Sequence, residues 1–127
     1  MNISIQGQIV NLEANILGYE LDNLIDTINL TILNNDGEPD ITPTEQQWEY
    51  SLILYMVQSQ SYQTITFNGT YPNFNAILTS EQLPTSGRYI GQFKMELGEQ
   101  IGYTQQFSFW VEDTLNSNTI IENGGNL

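Results

Sequence analysis

Arg88-Tyr89-Ile90-Gly91-Gln92-Phe93-Lys94-Met95-Glu96-Leu97 alternates residue by residue. Tyr89, Gly91, Phe93, Met95 and Leu97 fall on one side, and Arg88, Ile90, Gln92, Lys94 and Glu96 on the other. That is the period of two by which a β-strand sends successive side chains to opposite faces. A helix would mix the two sets around its circumference. After a glycine-flanked connection over Gly98 to Gly102, Tyr103 to Val111 alternates again, with Tyr103, Phe107, Phe109 and Val111 on one face. Two long strands joined in this way read as a hairpin. Trp110, out of phase with Phe109 and Val111, points away from the core of that hairpin.

Working outward, the same period recurs. Ile3, Ile5, Gly7 and Ile9 oppose Asn2, Ser4, Gln6 and Gln8 as a half-buried strand. Thr27 to Leu33 turns Ile28, Leu30 and Ile32 inward and ends at Asn34-Asn35-Asp36-Gly37, where Asp-Gly supplies the positive φ of a tight turn. Trp48 to Val57 sets Trp48, Tyr50, Leu52, Leu54 and Met56 on one side, and Ile53, Tyr55 and Val57 make the other side apolar too, which predicts a central strand covered on both faces. Tyr62 to Phe67 is extended, Phe74, Ala76 and Leu78 form a short strand, and Leu83-Pro84-Thr85-Ser86-Gly87 is a turn. Helical spacing occurs only within Ala14 to Asp26, at Leu21, Leu24 and Ile25. Seven or eight strands separated by turns predict an all-β, immunoglobulin-like antiparallel β-sandwich. It occupies residues 1–115 as one domain. Residues 116–127 lose the period and gain glycine, which predicts a flexible C-terminal tail.

The composition agrees and mostly removes functions. A chain of 127 residues builds one core. Its 15 acids against 2 basic residues give a net charge of −13, which repels phosphate and disfavours nucleic acid and anionic membranes as partners. Cys and His are both absent, so disulfides, thiolates, Ser-His pairs and the usual zinc ligands are excluded. No cofactor is expected. The N-terminus lacks a cationic stretch followed by an apolar run, and no segment has the roughly 18 apolar residues of a membrane span. The chain reads as soluble and unexported, with no signal peptide and no transmembrane segment.

Few motifs carry chemistry. Asn34, Asp36, Glu38, Asp40 and Glu45 approach the spacing of a calcium loop, but Pro39 occupies the place of its bend-making glycine. Asp36, Glu38 and Asp40 are therefore a weak metal candidate and read as an acidic solvated turn. Nothing selects a carboxylate pair for glycoside hydrolysis. Arg88 and Lys94, the only basic side chains, share the outward face of one strand, within reach of a neighbouring acid such as Glu112 or of a partner's carboxylate. A neutral, amide-rich surface pairs through main-chain edges and aromatic patches rather than through charge. Trp110 is the first interface candidate, followed by Tyr55, Tyr62 and Tyr71, with Arg88 and Lys94 beside them.

Gly87-Arg88-Tyr89 at the head of one strand and Phe107-Ser108-Phe109-Trp110-Val111-Glu112 in the next resemble the closing hairpin of the N-terminal domain of phage upper baseplate proteins. Ile28 to Leu33, the Asp36-Gly37 turn and the strand from Trp48 resemble that family's first hairpin and its link. The likeness runs over Leu24 to Leu115. In place of the family's Pro-Asp-Gly turn after the third strand stand Gln58 to Tyr62 and then Asn68-Gly69, and the long helical extension of full upper baseplate proteins does not follow. The resemblance implies a non-enzymatic virion structural protein, assembled in the host cytoplasm. It implies a tail or baseplate accessory component that docks to other phage structural proteins as a homo-oligomer or ring-docked subunit. The alternatives are a head decoration protein and a carbohydrate-binding module displaying Trp48, Trp110 and several tyrosines on one concave face.

Overall fold

A computed structural model of the chain describes residues 1–13, 16–19, 26–41, 47–79 and 81–112. These residues contain no helix and form two sheets. The strands are β1 (Asn2–Gln6), β2 (Ile9–Leu12), β3 (Ile16–Tyr19), β4 (Asp26–Leu33), β5 (Glu49–Met56), β6 (Ser61–Thr66), β7 (Asn68–Thr70), β8 (Asn73–Leu78), β9 (Gly87–Leu97), β10 (Gln100–Tyr103) and β11 (Phe107–Glu112). A five-stranded sheet has the order β2-β1-β4-β8-β7. A six-stranded sheet has the order β3-β11-β9-β5-β6, with β10 also paired to β9. β1 runs parallel to β4 and β3 parallel to β11, while the remaining pairs are antiparallel.

The expected all-β sandwich is the observed architecture. Its core takes Ile3, Ile5, Ile28, Leu30, Ile32, Ala76 and Leu78 from the smaller sheet and Leu52, Leu54, Met56, Tyr89, Phe93, Phe109 and Val111 from the larger. Tyr89 stacks on Phe109 with centroids 5.5 Å apart, and Phe93 on Phe107 at 5.7 Å. Each such side chain contributes about 1.5–3 kcal/mol by leaving water.

The larger number of strands has local causes. The strand expected over Asn2 to Ile9 is a hairpin, because Gly7 takes φ 63° and reverses the chain. This shifts the phase, so Val10 is buried and Ile9 is 55% exposed. The strand expected over Tyr103 to Val111 is likewise two strands. Tyr103 pairs with Lys94 and Phe107 with Gly91, so Thr104, Gln105 and Gln106 stand opposite Phe93 and Gln92 as a bulge. The bulge turns Tyr103 outward and puts Thr104 in the core, where it is the buried polar side chain among the described residues. Its Oγ1 accepts the Phe93 N–H at 3.1 Å and donates to the Gln105 carbonyl at 3.0 Å. Among the described residues β5 is covered on its inner face only, with Ile53 and Tyr55 half-buried on the outer face. The expected helical spacing at Leu21 to Ile25 and the tail from residue 116 lie outside the described residues. β3 occupies Ile16–Tyr19 within Ala14 to Asp26.

Candidate functional site

The two outer faces of the sandwich differ in chemistry. On the five-stranded sheet, the registers align Asn2, Asn29, Asn75 and Asn68 in one row and Ser4, Thr31, Asn73 and Thr70 in the next. These groups serve one another: Asn29 donates to Asn2 Oδ1 at 3.2 Å, Asn2 to Glu13 Oε2 at 2.8 Å and Thr31 to Asn73 Oδ1 at 3.4 Å. Apart from the exposed Ile77, the face is polar, with its hydrogen-bonding capacity partly spent internally.

The six-stranded sheet presents the opposite character. Tyr62, Tyr55, Ile90 and Ser108 form one cross-strand row, and Thr64, Ile53 and Gln92 the next. Thr66, Ser51, Lys94 and Tyr103 follow, and Trp110 lies opposite Arg88. Tyr62 is 73% exposed, Tyr103 46% and Trp110 43%, and the Tyr55 and Tyr62 rings meet at 4.7 Å. Ile53, Tyr55, Tyr62, Ile90 and Gln92 edge a shallow depression of roughly 220 Å³. Both cations of the chain sit on this face. Lys94 pairs with Glu96 on its own strand at 3.5 Å, whereas Arg88 has no ion pair with Glu112 or any other acid among the described residues.

Thus the structure places Trp110, Tyr55, Tyr62, Arg88 and Lys94 on one surface and separates Tyr71 from them. Tyr71 packs edge-on against Phe74 at 6.1 Å and donates its hydroxyl to the Asp40 carboxylate. It belongs to a cleft of roughly 860 Å³ at one end of the sandwich, where Trp48, Tyr50, Phe67 and Phe74 also converge. Burial and then the negative charge of Asp40 push the Tyr50 phenol up from 10.0 to about 12. Trp48 lines this cleft and Trp110 does not, so the single concave face that would display both tryptophans to a sugar is absent from the described residues. The periodicity of β5 and β6 did not reveal the cleft. It arises where the chain leaves β6 at Phe67 and enters the other sheet at Asn68, and the one local sign of that crossing is Asn68-Gly69, with Gly69 at φ 122°.

The acidic turn is closed on itself. Asn34 Oδ1 accepts the main-chain N–H groups of Asp36 at 2.9 Å and Glu38 at 3.1 Å, and Leu33 bridges to Pro39. With Asp40 engaged by Tyr71, the side chains of Asp36, Glu38 and Asp40 do not converge, and no group of three potential ligands that could hold a metal occurs among the described residues. Glu45 lies outside them. No described helix is long and apolar enough to cross a membrane.

No curated protein sequence matches the chain. Among solved structures, its fold is similar to the N-terminal domain of phage TP901-1 ORF48, with a TM-score of 0.55 and 20% sequence identity over 87% of this chain and 96% of that one. At that identity the likeness is one of fold. The family model of the BppU N-terminal domain matches residues 1–125, nearly the whole chain, and the expected resemblance becomes membership: the chain belongs to the BppU N-terminal domain family, a phage baseplate structural domain.

Proposed function

We propose that this chain is a non-enzymatic baseplate component that docks to another virion protein through the outer face of its six-stranded sheet. The observation that carries this reading is the asymmetry of the sandwich. One outer face is polar and bonded within itself, whereas the other gathers Trp110, Tyr55, Tyr62, Ile53 and Ile90 with both cations of a chain of net charge −13. That face also carries Glu49, Glu96 and Glu112, of which Glu96 is paired with Lys94. Here an aromatic surface with Arg88, which meets no acid among the described residues, offers the mixture of Trp, Tyr and Arg in which binding hot spots concentrate. Family membership favours the baseplate over a head decoration role, and docking as one subunit of an oligomeric ring follows from the same reading.

The test is co-expression with the tail proteins encoded beside it, followed by affinity measurement on the purified complex. Trp110→Ser and Arg88→Glu are each expected to weaken binding about 30-fold or more, the effect of losing a hot spot of roughly 2 kcal/mol. Ile77→Ser, on the opposite outer face, serves as the control. Wild-type affinity in both outer-face variants refutes the reading.

A further inference from the structure

Among the described residues, the cleft at the end of the sandwich holds a stretch of sheet edge with no neighbouring strand. Val57 N–H bonds the Arg88 carbonyl at 3.2 Å, and the register pairs Glu49 with Glu96, Ser51 with Lys94 and Ile53 with Gln92. The main-chain groups of these odd-numbered residues of β5 therefore point to β9, and those of the even-numbered residues point the other way. Leu52, Leu54 and Met56 meet β6 there, opposite Ile65, Gln63 and Ser61, and the ladder stops at the pair Ser51 and Thr66. Beyond it the chain departs at Phe67 for the other sheet. The N–H groups of Tyr50 and Trp48 on that side meet no main-chain acceptor among the described residues.

This edge is unlike an ordinary exposed one because it opens onto an aromatic floor. Tyr50 packs on Phe74 at 6.1 Å and Phe67 on Phe93 at 5.8 Å, and the roughly 860 Å³ of the cleft lie against them. On the outer side of the same edge, Glu49 stands directly opposite Glu96, a cross-strand pair of like charges that is destabilising on its own. Lys94 serves Glu96, and no cation among the described residues serves Glu49. Unpaired main chain calls for an extended peptide, the aromatic floor for apolar side chains on one of its faces, and Glu49 for a basic side chain on the other.

We propose that this cleft takes up an extended segment of a partner protein as an added strand, continuing the place of β6 beside Trp48–Tyr50. The segment turns alternate apolar residues to Phe67 and Phe74 and a lysine or arginine to Glu49. This is β-strand addition, in which main-chain bonds supply affinity and alternate side chains supply specificity. The mouth of the cleft reaches Ile53 and Lys94 of the outer face, but strand addition uses main-chain groups and the aromatic floor and involves neither Trp110 nor Arg88.

The test is amide hydrogen exchange by NMR on the full chain. In the free protein the Trp48 and Tyr50 amides are expected to exchange at least about tenfold faster than those of Leu52 and Leu54, which are bonded within the sheet. The probe is acetyl-Lys-Val-Thr-Val-Thr-Phe-amide at millimolar concentration, expected to slow the Trp48 and Tyr50 amides about tenfold. The same peptide N-methylated at the residues bonding β5 is expected to have no effect, and Glu49→Gln to weaken the parent peptide severalfold. The proposal is overturned if the two amides are already protected in the free chain, if the parent peptide leaves them unprotected, or if the N-methylated peptide protects equally. It is also overturned if a neutral chitin tetrasaccharide displaces the peptide and perturbs the same amides, which would assign the cleft to sugar. Arg88→Glu is expected to leave peptide binding unchanged, so failure of the outer-face reading and failure of this one are separable.

Discussion

Replacing Thr104 by valine tests whether the bulge between β10 and β11 is held by one hydroxyl. Valine matches threonine in shape, so no cavity opens, and the change isolates the oxygen. Thr104 is 3% exposed and Phe93 0%, so the Phe93 N–H, which now donates to Thr104 Oγ1 at 3.1 Å, loses its acceptor in a place water does not reach. An unsatisfied buried donor costs about 1–3 kcal/mol. The Gln105 carbonyl also loses its donor, but Gln105 is exposed and water replaces the bond. The added methyl recovers up to about 0.8 kcal/mol. The net expectation is a loss of about 1–2 kcal/mol, read in urea unfolding as a lower midpoint with an unchanged slope, or as a fall in Tm of roughly 4–8 °C. Amide exchange adds a local readout: Phe93 should lose protection while Leu54 keeps it. Thr104→Ser retains the hydroxyl, so in that variant Phe93 should stay protected. If the valine variant is as stable as the wild type, or if Phe93 remains protected in it, the hydroxyl does not hold the bulge.

Two further perturbations probe the core and the cleft. A Cβ added at Gly91 would lie 2.5 Å from Phe107 Cζ, so Gly91→Ala must displace the ring that stacks on Phe93. It is expected to cost about 1–3 kcal/mol by calorimetry, and an unchanged Tm would show that the ring slides aside freely. The Tyr50 phenol loses its proton near 10.0 when unfolded and near 12 when folded, so between those values the native state holds a proton that the unfolded chain has released. Its contribution is complete below pH 10 and disappears as pH rises toward 12. Two units correspond to at most about 2.7 kcal/mol, reduced to about 1–2 because the ring is partly solvated. Tyr50→Phe should remove that part of the alkaline loss of stability, and an identical pH profile in the variant would contradict the assignment.

Legibility of the fold in the sequence followed the asymmetry of each strand. β9 alternates over its whole length because one face meets the core and the other meets solvent, and the phase that turns Phe93 in necessarily turns Arg88 and Lys94 out. The same logic made Trp110 identifiable as an outward residue. Periodicity failed where one residue changed the phase. Gly7 converted a strand into a hairpin through a backbone angle rather than a side-chain preference, and Thr104, a polar residue, took a core position because the bulge gave its hydroxyl two partners. The cleft was illegible for another reason. Its walls come from Trp48, Phe67 and Phe74, and nothing in the local pattern of β6 states that the next strand belongs to the opposite sheet. Tyr71 belongs to the cleft through a hydroxyl partner, Asp40, that lies 31 positions away in the chain, beyond the reach of any local pattern.

The parallel pairing of β3 with β11 sets the order of events during synthesis. Ile16 finds its neighbour at Trp110 and Tyr19 at Glu112, so an early strand of the larger sheet must wait for the latest one. Until the ribosome has released nearly all of this stretch, that sheet has no closed border on the β3 side and its growing rim is open to foreign strands. Topologies dominated by such distant pairings fold over milliseconds to seconds. The chain is therefore most open to misassembly in the interval just before β11 emerges.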